Sequence, residues 1–301
     1  MPAADRVAIP TPKGFVFETT VESHGWYLLA PNRWSRPEQT LRRAERVSGK
    51  VVDLAIRHRG RALIIEGAAD SPDLRVRMNR MFQLGLDVGD FHARARDSAD
   101  HAWVVEAGFG RLLCGATLWE DAVKIIATTN TTWKQTMRMV ELLVEKCGRS
   151  SPQGYAAFPE PKDIVRFDVG TLQEECRLGY RAKTMHALAQ GIVDRTIDLK
   201  LLSAPTKSTH ELFKSYRELP GIGPYGSAHL LAMDGRHDFI AVDTEFRRHV
   251  RERYHKGRKV SDAAMLRRYA KWGRWKYLAY WSELWKGVGV SLQEMQRAED
   301  K

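Results

Sequence analysis

The 301-residue chain is 43% hydrophobic, enough for a packed core and against a disordered polymer. No apolar run approaches the roughly 18–20 residues that span a bilayer, and Met1–Arg6 lacks the apolar centre of a signal peptide. Cys114, Cys147 and Cys176 are far apart in sequence and lack metal-ligand spacing, which argues against a disulfide scaffold, a zinc ribbon or an iron–sulfur loop. A soluble intracellular protein in a reducing compartment is expected.

Residues 1–14 read as a loose arm. Phe15–Val21, rich in aromatic and β-branched residues, reads as a strand. Val51–Ile56 and Ala62–Ile65 read as a hairpin about Arg59-Gly60-Arg61. Helical periodicity starts near Asp73. It is clear over Leu118–Cys147, where Thr128–Thr132 interrupts it, and it returns over Leu172–Leu202 after a loop at Gly148–Gly154. Ala263–Val288 reads as helical and strongly aromatic. The fold class expected is α+β, with an arm and β-rich subdomain over residues 1–105 and a mostly helical domain over 106–301.

The net charge is +11. Between Phe246 and Tyr277 twelve basic side chains face only Glu252 and Asp262, so ten of the eleven excess charges lie in that block. Such a block implies a polyanionic partner.

Glu218-Leu219-Pro220-Gly221-Ile222-Gly223-Pro224-Tyr225 is the most informative stretch. Glu211–Glu218 should form a helix, Leu219–Gly223 should reverse the chain, and Pro224 suits the first turn of a second helix. Gly221 and Gly223 permit conformations and close approaches that a Cβ forbids. The amides at the second helix start can hold a phosphate without reading sequence. Asp243 follows at the start of the next helix, as a helix cap, as a catalytic carboxylate, or as both.

The hairpin followed by Val242-Asp243 resembles the helix-hairpin-helix (HhH-GPD) DNA glycosylase superfamily. Phe82–Asp87, Ile126–Asn130 and Leu178–Lys183 are similar to stretches of the 8-oxoguanine glycosylases, and Trp272–Trp281 resembles the tail of bacterial 3-methyladenine glycosylases. The resemblance implies an enzyme of base excision repair that flips a damaged base out of duplex DNA and cuts its N-glycosidic bond. It implies a catalytic role for Asp243 and backbone contacts from Gly221, Ile222 and Gly223. It also places Tyr180 as a wedge, Arg181 facing the orphaned base, and Asn130 in the vacated space.

Bifunctional members carry a lysine where this chain has Tyr225, and a phenol cannot form their Schiff base. A monofunctional glycosylase acting as a monomer is therefore expected, with an alkylated purine as leading substrate. Of the tail aromatics Trp272, Trp275, Tyr277, Tyr280, Trp281 and Trp285, most are expected in the core. Tyr225, Tyr280 and Trp281 are assigned to the base pocket, and Arg247 and Arg248 to DNA. No cofactor is expected, a monovalent cation at the hairpin being the one ion allowed for. Two alternatives stay open. One is a bifunctional 8-oxoguanine-type glycosylase/lyase drawing on Lys183 or Lys214; the other is a non-catalytic binder of damaged DNA.

Overall fold

The computed structural model describes residues 5–286. A five-stranded antiparallel sheet opens the chain: β1 (Arg6–Pro10), β2 (Arg33–Ser35), β3 (Thr40–Val47), β4 (Lys50–Arg59) and β5 (Ala62–Glu66), in the order β1-β5-β4-β3-β2. The expected hairpin is β4–β5, with Arg59 opposite Ala62. A second hairpin joins β3 to β4 through Ser48 and Gly49. Both have positive φ, the backbone that a two-residue turn between twisted strands requires.

Two expectations fail here. The arm is not loose: β1 pairs with β5 along its whole length. Phe15–Val21 is not a strand, because Gly14 (φ +73°) breaks the chain and Phe17–Val21 then winds into helix α1. Phe17 and Val21, one turn apart, are both buried, and Phe17 packs on Phe82 and Trp34. That burial overrides β propensity.

Helices follow: α2 (Pro72–Met81), α3 (Gly89–Arg96), α4 (Trp103–Glu106), α5 (Leu118–Thr128), α6 (Trp133–Cys147), α7 (Pro161–Ile164), α8 (Val169–Glu175), α9 (Arg181–Val193) and α10 (Leu199–Leu202). Then come α11 (Thr209–Arg217), α12 (Pro224–Met233), α13 (Thr244–His255) and α14 (Asp262–Arg267). Residues 276–286 are again helical, while Val288, at the end of the expected tail helix, lies outside the described residues. The architecture is α+β, an N-terminal sheet followed by a helical core.

Two apolar clusters make the interior. One joins the sheet to α2, α5, α6, α9 and α11; the other gathers α3, α13 and the aromatic tail. A buried ion network ties sheet to helices. Arg43, 0% exposed, meets Glu45 at 2.5 Å and Glu120 at 2.9 Å, and Lys124 meets Glu120 at 2.7 Å. Burial alone would raise the Glu120 carboxyl, but Arg43 and Lys124 outweigh it and hold it down to about 2. Cys147 and Cys176, far apart in sequence, stand thiol to thiol where α6 and α8 end, so only Cys114 is isolated from the other two.

Candidate active site

The motif folds as its local signals dictate. Ser208 and Glu211 cap α11 reciprocally, and Pro224 occupies the first turn of α12. Leu219 and Ile222 are buried and pin the hairpin from inside, leaving Pro220, Gly221 and Gly223 toward solvent. The two glycines differ. Gly221 has φ +78°, and a Cβ on it would lie 2.2 Å from the Thr184 methyl. Gly223 is the N-cap of α12 in extended backbone, with nothing within 4 Å of an added Cβ, so the fold itself does not demand glycine there.

Asp243 is the N-cap of α13: its Oδ1 accepts the Phe246 amide at 2.7 Å. That bond fixes the carboxylate and leaves Oδ2 for the cavity it faces. The cavity, about 410 Å³, opens where the two apolar clusters meet. Tyr225, Tyr280 and Trp281, the expected pocket residues, line it together with Asp243.

Its other walls were not foreseen. Tyr277 and Trp285 join Trp281 as a stacked column on the last helix, successive centroids 5.9 Å apart. Four tail aromatics thus line the cavity, while Trp272 and Trp275 pack inward on Phe91. From α6 comes Trp133, and from the N-terminal part come His24, Gly25 and Trp26. A Cβ on Gly25 would sit 2.4 Å from the Trp133 ring, so glycine there lets the indole close the wall. Two backbone anchors hold these pieces: Trp281 Nε1 donates to the Ser23 carbonyl at 2.9 Å, and His24 Nε2 donates to the Leu113 carbonyl at 2.6 Å.

The sequence model of the "HhH-GPD superfamily base excision DNA repair protein" matches residues 123–274, a span that holds the hairpin, Tyr225 and Asp243. The chain belongs to this family. Compared by sequence with curated proteins, it matches none. Solved structures share the HhH-GPD fold at low identity. MBOgg1 in complex with a low-affinity DNA ligand superposes with a TM-score of 0.76 at 22% identity, over 97% of this chain and 98% of the other. The 8-oxoguanine glycosylase/lyase of Clostridium acetobutylicum gives 0.75 at 18%, over 95% and 96%. The 3-methyladenine DNA glycosylase of Archaeoglobus fulgidus gives 0.74 at 17%, over 93% and 98%.

The HhH-GPD cavity of this chain carries a distinctive charge. Asp243 and Glu245 line it, and no lysine or arginine among the described residues does, although the chain is strongly basic. Lys183 and Lys214 lie elsewhere. Burial, with the Asp243 charge adding to it, pushes the Tyr225 phenol up to about 12 against the opposing Thr128 hydroxyl. The phenol keeps its proton at neutral pH.

Asn130 and Tyr180 meet beside the cavity: Asn130 Nδ2 donates to the Tyr180 hydroxyl at 3.2 Å, and Tyr180 is 57% exposed. Thr131 lines both this depression and the aromatic cavity. Arg181 is placed differently from expectation. It is 7% exposed, and its guanidinium is committed to the carbonyls of Thr129 (3.1 Å), Asn130 (3.2 Å) and Leu178 (3.4 Å). It braces the Thr128–Thr132 turn from beneath, and Tyr180 alone of the pair stands out. Lys134, Arg138 and Arg177 ring the depression. Arg138 is paired with Glu141, and no block of charge in the sequence marked any of the three.

Arg247 and Arg248 lie on the exposed side of α13, each already paired: Arg247 with Asp262 at 2.8 Å, Arg248 with Glu252 at 2.9 Å and with Glu245. The basic block is thus partly neutralised by its own acids. Among the described residues no group of His, Cys, Asp and Glu is disposed to hold a metal ion, and no helix is long and apolar enough to cross a membrane.

Proposed function

We propose that the protein is a monofunctional DNA glycosylase, acting as a monomer on duplex DNA and releasing an alkylated purine by hydrolysis. One observation carries this reading: the cavity brings a fixed carboxylate, Asp243, against stacked aromatic rings, with no lysine among the described residues that line it. Electron-rich faces and a carboxylate attract a cationic base, and none of the described residues in the wall offers an amine for a Schiff base.

In this mechanism the hairpin amides at Gly221–Gly223 grip backbone phosphate. Tyr180 wedges into the stack and Asn130 enters the vacated space, while the damaged base turns into the cavity against Tyr225, Tyr280 and Trp281. As the N-glycosidic bond breaks, its electron pair leaves with the base, so a cationic purine departs neutral and needs no added proton. Positive charge grows on the sugar. The free oxygen of Asp243 stabilises it, orients the water that attacks the anomeric carbon and takes up the proton that this water loses. Because the Phe246 amide already holds the carboxylate, little reorganisation accompanies the step.

Mass-spectrometric base release from alkylated, oxidised and deaminated duplexes, with borohydride trapping in parallel, tests the proposal. Release of methylated purine without a trapped complex is expected. A borohydride-stable covalent complex would establish lyase chemistry instead, and a chain that binds damaged duplex but frees no base would be a binder only.

A further inference from the structure

His229 sits one turn beyond Tyr225 on α12 and faces the same cavity as Asp243. Its ring is held on two sides, with the Tyr225 centroid 4.4 Å away and the Tyr277 ring edge-on at 5.9 Å. Its Nδ1 lies 3.2 Å from the Tyr225 carbonyl oxygen. A carbonyl can only accept, so Nδ1 carries the ring proton and Nε2 is left as a lone pair. Nδ1 faces the helix backbone, so Nε2 faces away from it, toward the cavity, and no hydrogen-bond partner meets it among the described residues.

We propose that His229 is a specificity-determining residue, whose bare Nε2 accepts a hydrogen bond from an N–H on the edge of a cationic purine in the cavity. The inference rests on the substrate reading above and adds what that reading lacks, an element that recognises an edge as well as a face. Packing against the rings of Tyr225, Tyr280 and Trp281 favours a flat cationic ring but does not distinguish one edge from another. An acceptor lone pair does: it rewards the N–H groups of a methylated guanine or adenine and is left unpaired by a base lacking a donor there. Burial keeps the imidazole uncharged, although the Asp243 carboxylate pulls the other way. A charged ring would lose the lone pair and repel the cation.

The test uses the full chain, with His229→Leu and His229→Gln, on duplex methylated to contain 7-methylguanine and 3-methyladenine, and on duplex carrying a tetrahydrofuran abasic analogue. His229→Leu is expected to lower kcat/KM for methylpurine release about tenfold or more, the worth of one hydrogen bond to a charged partner. His229→Gln, whose side-chain oxygen can take the place of Nε2, should restore it to within about threefold of wild type. Affinity for the tetrahydrofuran duplex should be unchanged in both variants, which also shows that they fold. Wild-type rates in His229→Leu, equal losses in both variants, or weakened tetrahydrofuran binding would each overturn the role of His229 alone. A wild-type chain that releases other bases but no methylpurine would overturn the substrate reading, and the cationic partner with it.

Discussion

Asp243 Oδ1 accepts the backbone amide of Phe246 at 2.7 Å, so the carboxylate that faces the aromatic cavity is also the cap that starts α13. The two duties separate by substitution. Asparagine caps nearly as well as aspartate but carries no charge. Asp243→Asn should therefore keep its urea midpoint and duplex affinity while base release drops below detection. Asp243→Ala should lose release and also about 1 kcal/mol of stability. Measurable release by Asp243→Asn would assign the chemistry to another group.

The hairpin glycines separate as well. Gly221→Ala forces positive φ on a residue whose new methyl overlaps Thr184, and should cost about 2 kcal/mol in stability. Gly223→Ala meets open space, so its stability should fall by less than about 1 kcal/mol. Its affinity for undamaged duplex should nevertheless fall if a phosphate closes on that amide. Gly223→Ala binding as tightly as wild type would remove the backbone-grip assignment.

Salt dependence should identify which cations touch DNA. Lys134 and Arg177 are exposed beside the Asn130–Tyr180 depression, whereas Arg247 and Arg248 are held by acids. Replacing Lys134 or Arg177 with alanine should flatten the plot of log affinity against log salt by about 0.9 per lost phosphate contact. Replacing Arg247 or Arg248 should change it less. The reverse order would move the DNA track onto α13.

Acid should destabilise the fold before the carboxylates titrate. Burial pushes both His24 and His237 down to about 3. Below pH about 6.5 the unfolded chain takes up protons that these rings refuse in the fold, so stability falls by about 1.4 kcal/mol per pH unit for each. Carboxylates held low, such as Glu120, add their losses only below about pH 4.5. His237 stacks between Trp275 and Tyr277 with neither ring nitrogen hydrogen-bonded among the described residues, and it lies outside the aromatic cavity. His237→Phe should therefore remove its own share, about 1.4 kcal/mol per pH unit, from the loss seen between pH 6.5 and 4.5 in urea titrations, while His24 and the other buried histidines keep theirs. An unchanged slope would place the acid sensitivity in other groups.

What was legible in the sequence was what neighbours in sequence decide. Pro224 and Asp243 announce helix starts by their own chemistry, and the β4–β5 hairpin announces itself through Gly60. Contacts between distant segments were not legible. Nothing near His24, Gly25 or Trp26 signals that Trp133 and Trp281 will pack beside them. Arg181 reads as a surface cation until the Thr129 carbonyl is found against it. The helix Phe17–Val21 has the composition of a strand, and only the burial of Phe17 and Val21 on one face decides otherwise.

The glycine at position 25 has a consequence for where this enzyme could be cut. The span that identifies the family ends at residue 274, yet the cavity takes one wall from residues 24–26 and another from Tyr277, Tyr280, Trp281 and Trp285. A fragment limited to the recognisable span would keep the hairpin and the carboxylate and lose both of those walls. The turn at residues 24–26 and the last helix are the two outer walls, and the family signature supplies only what lies between them.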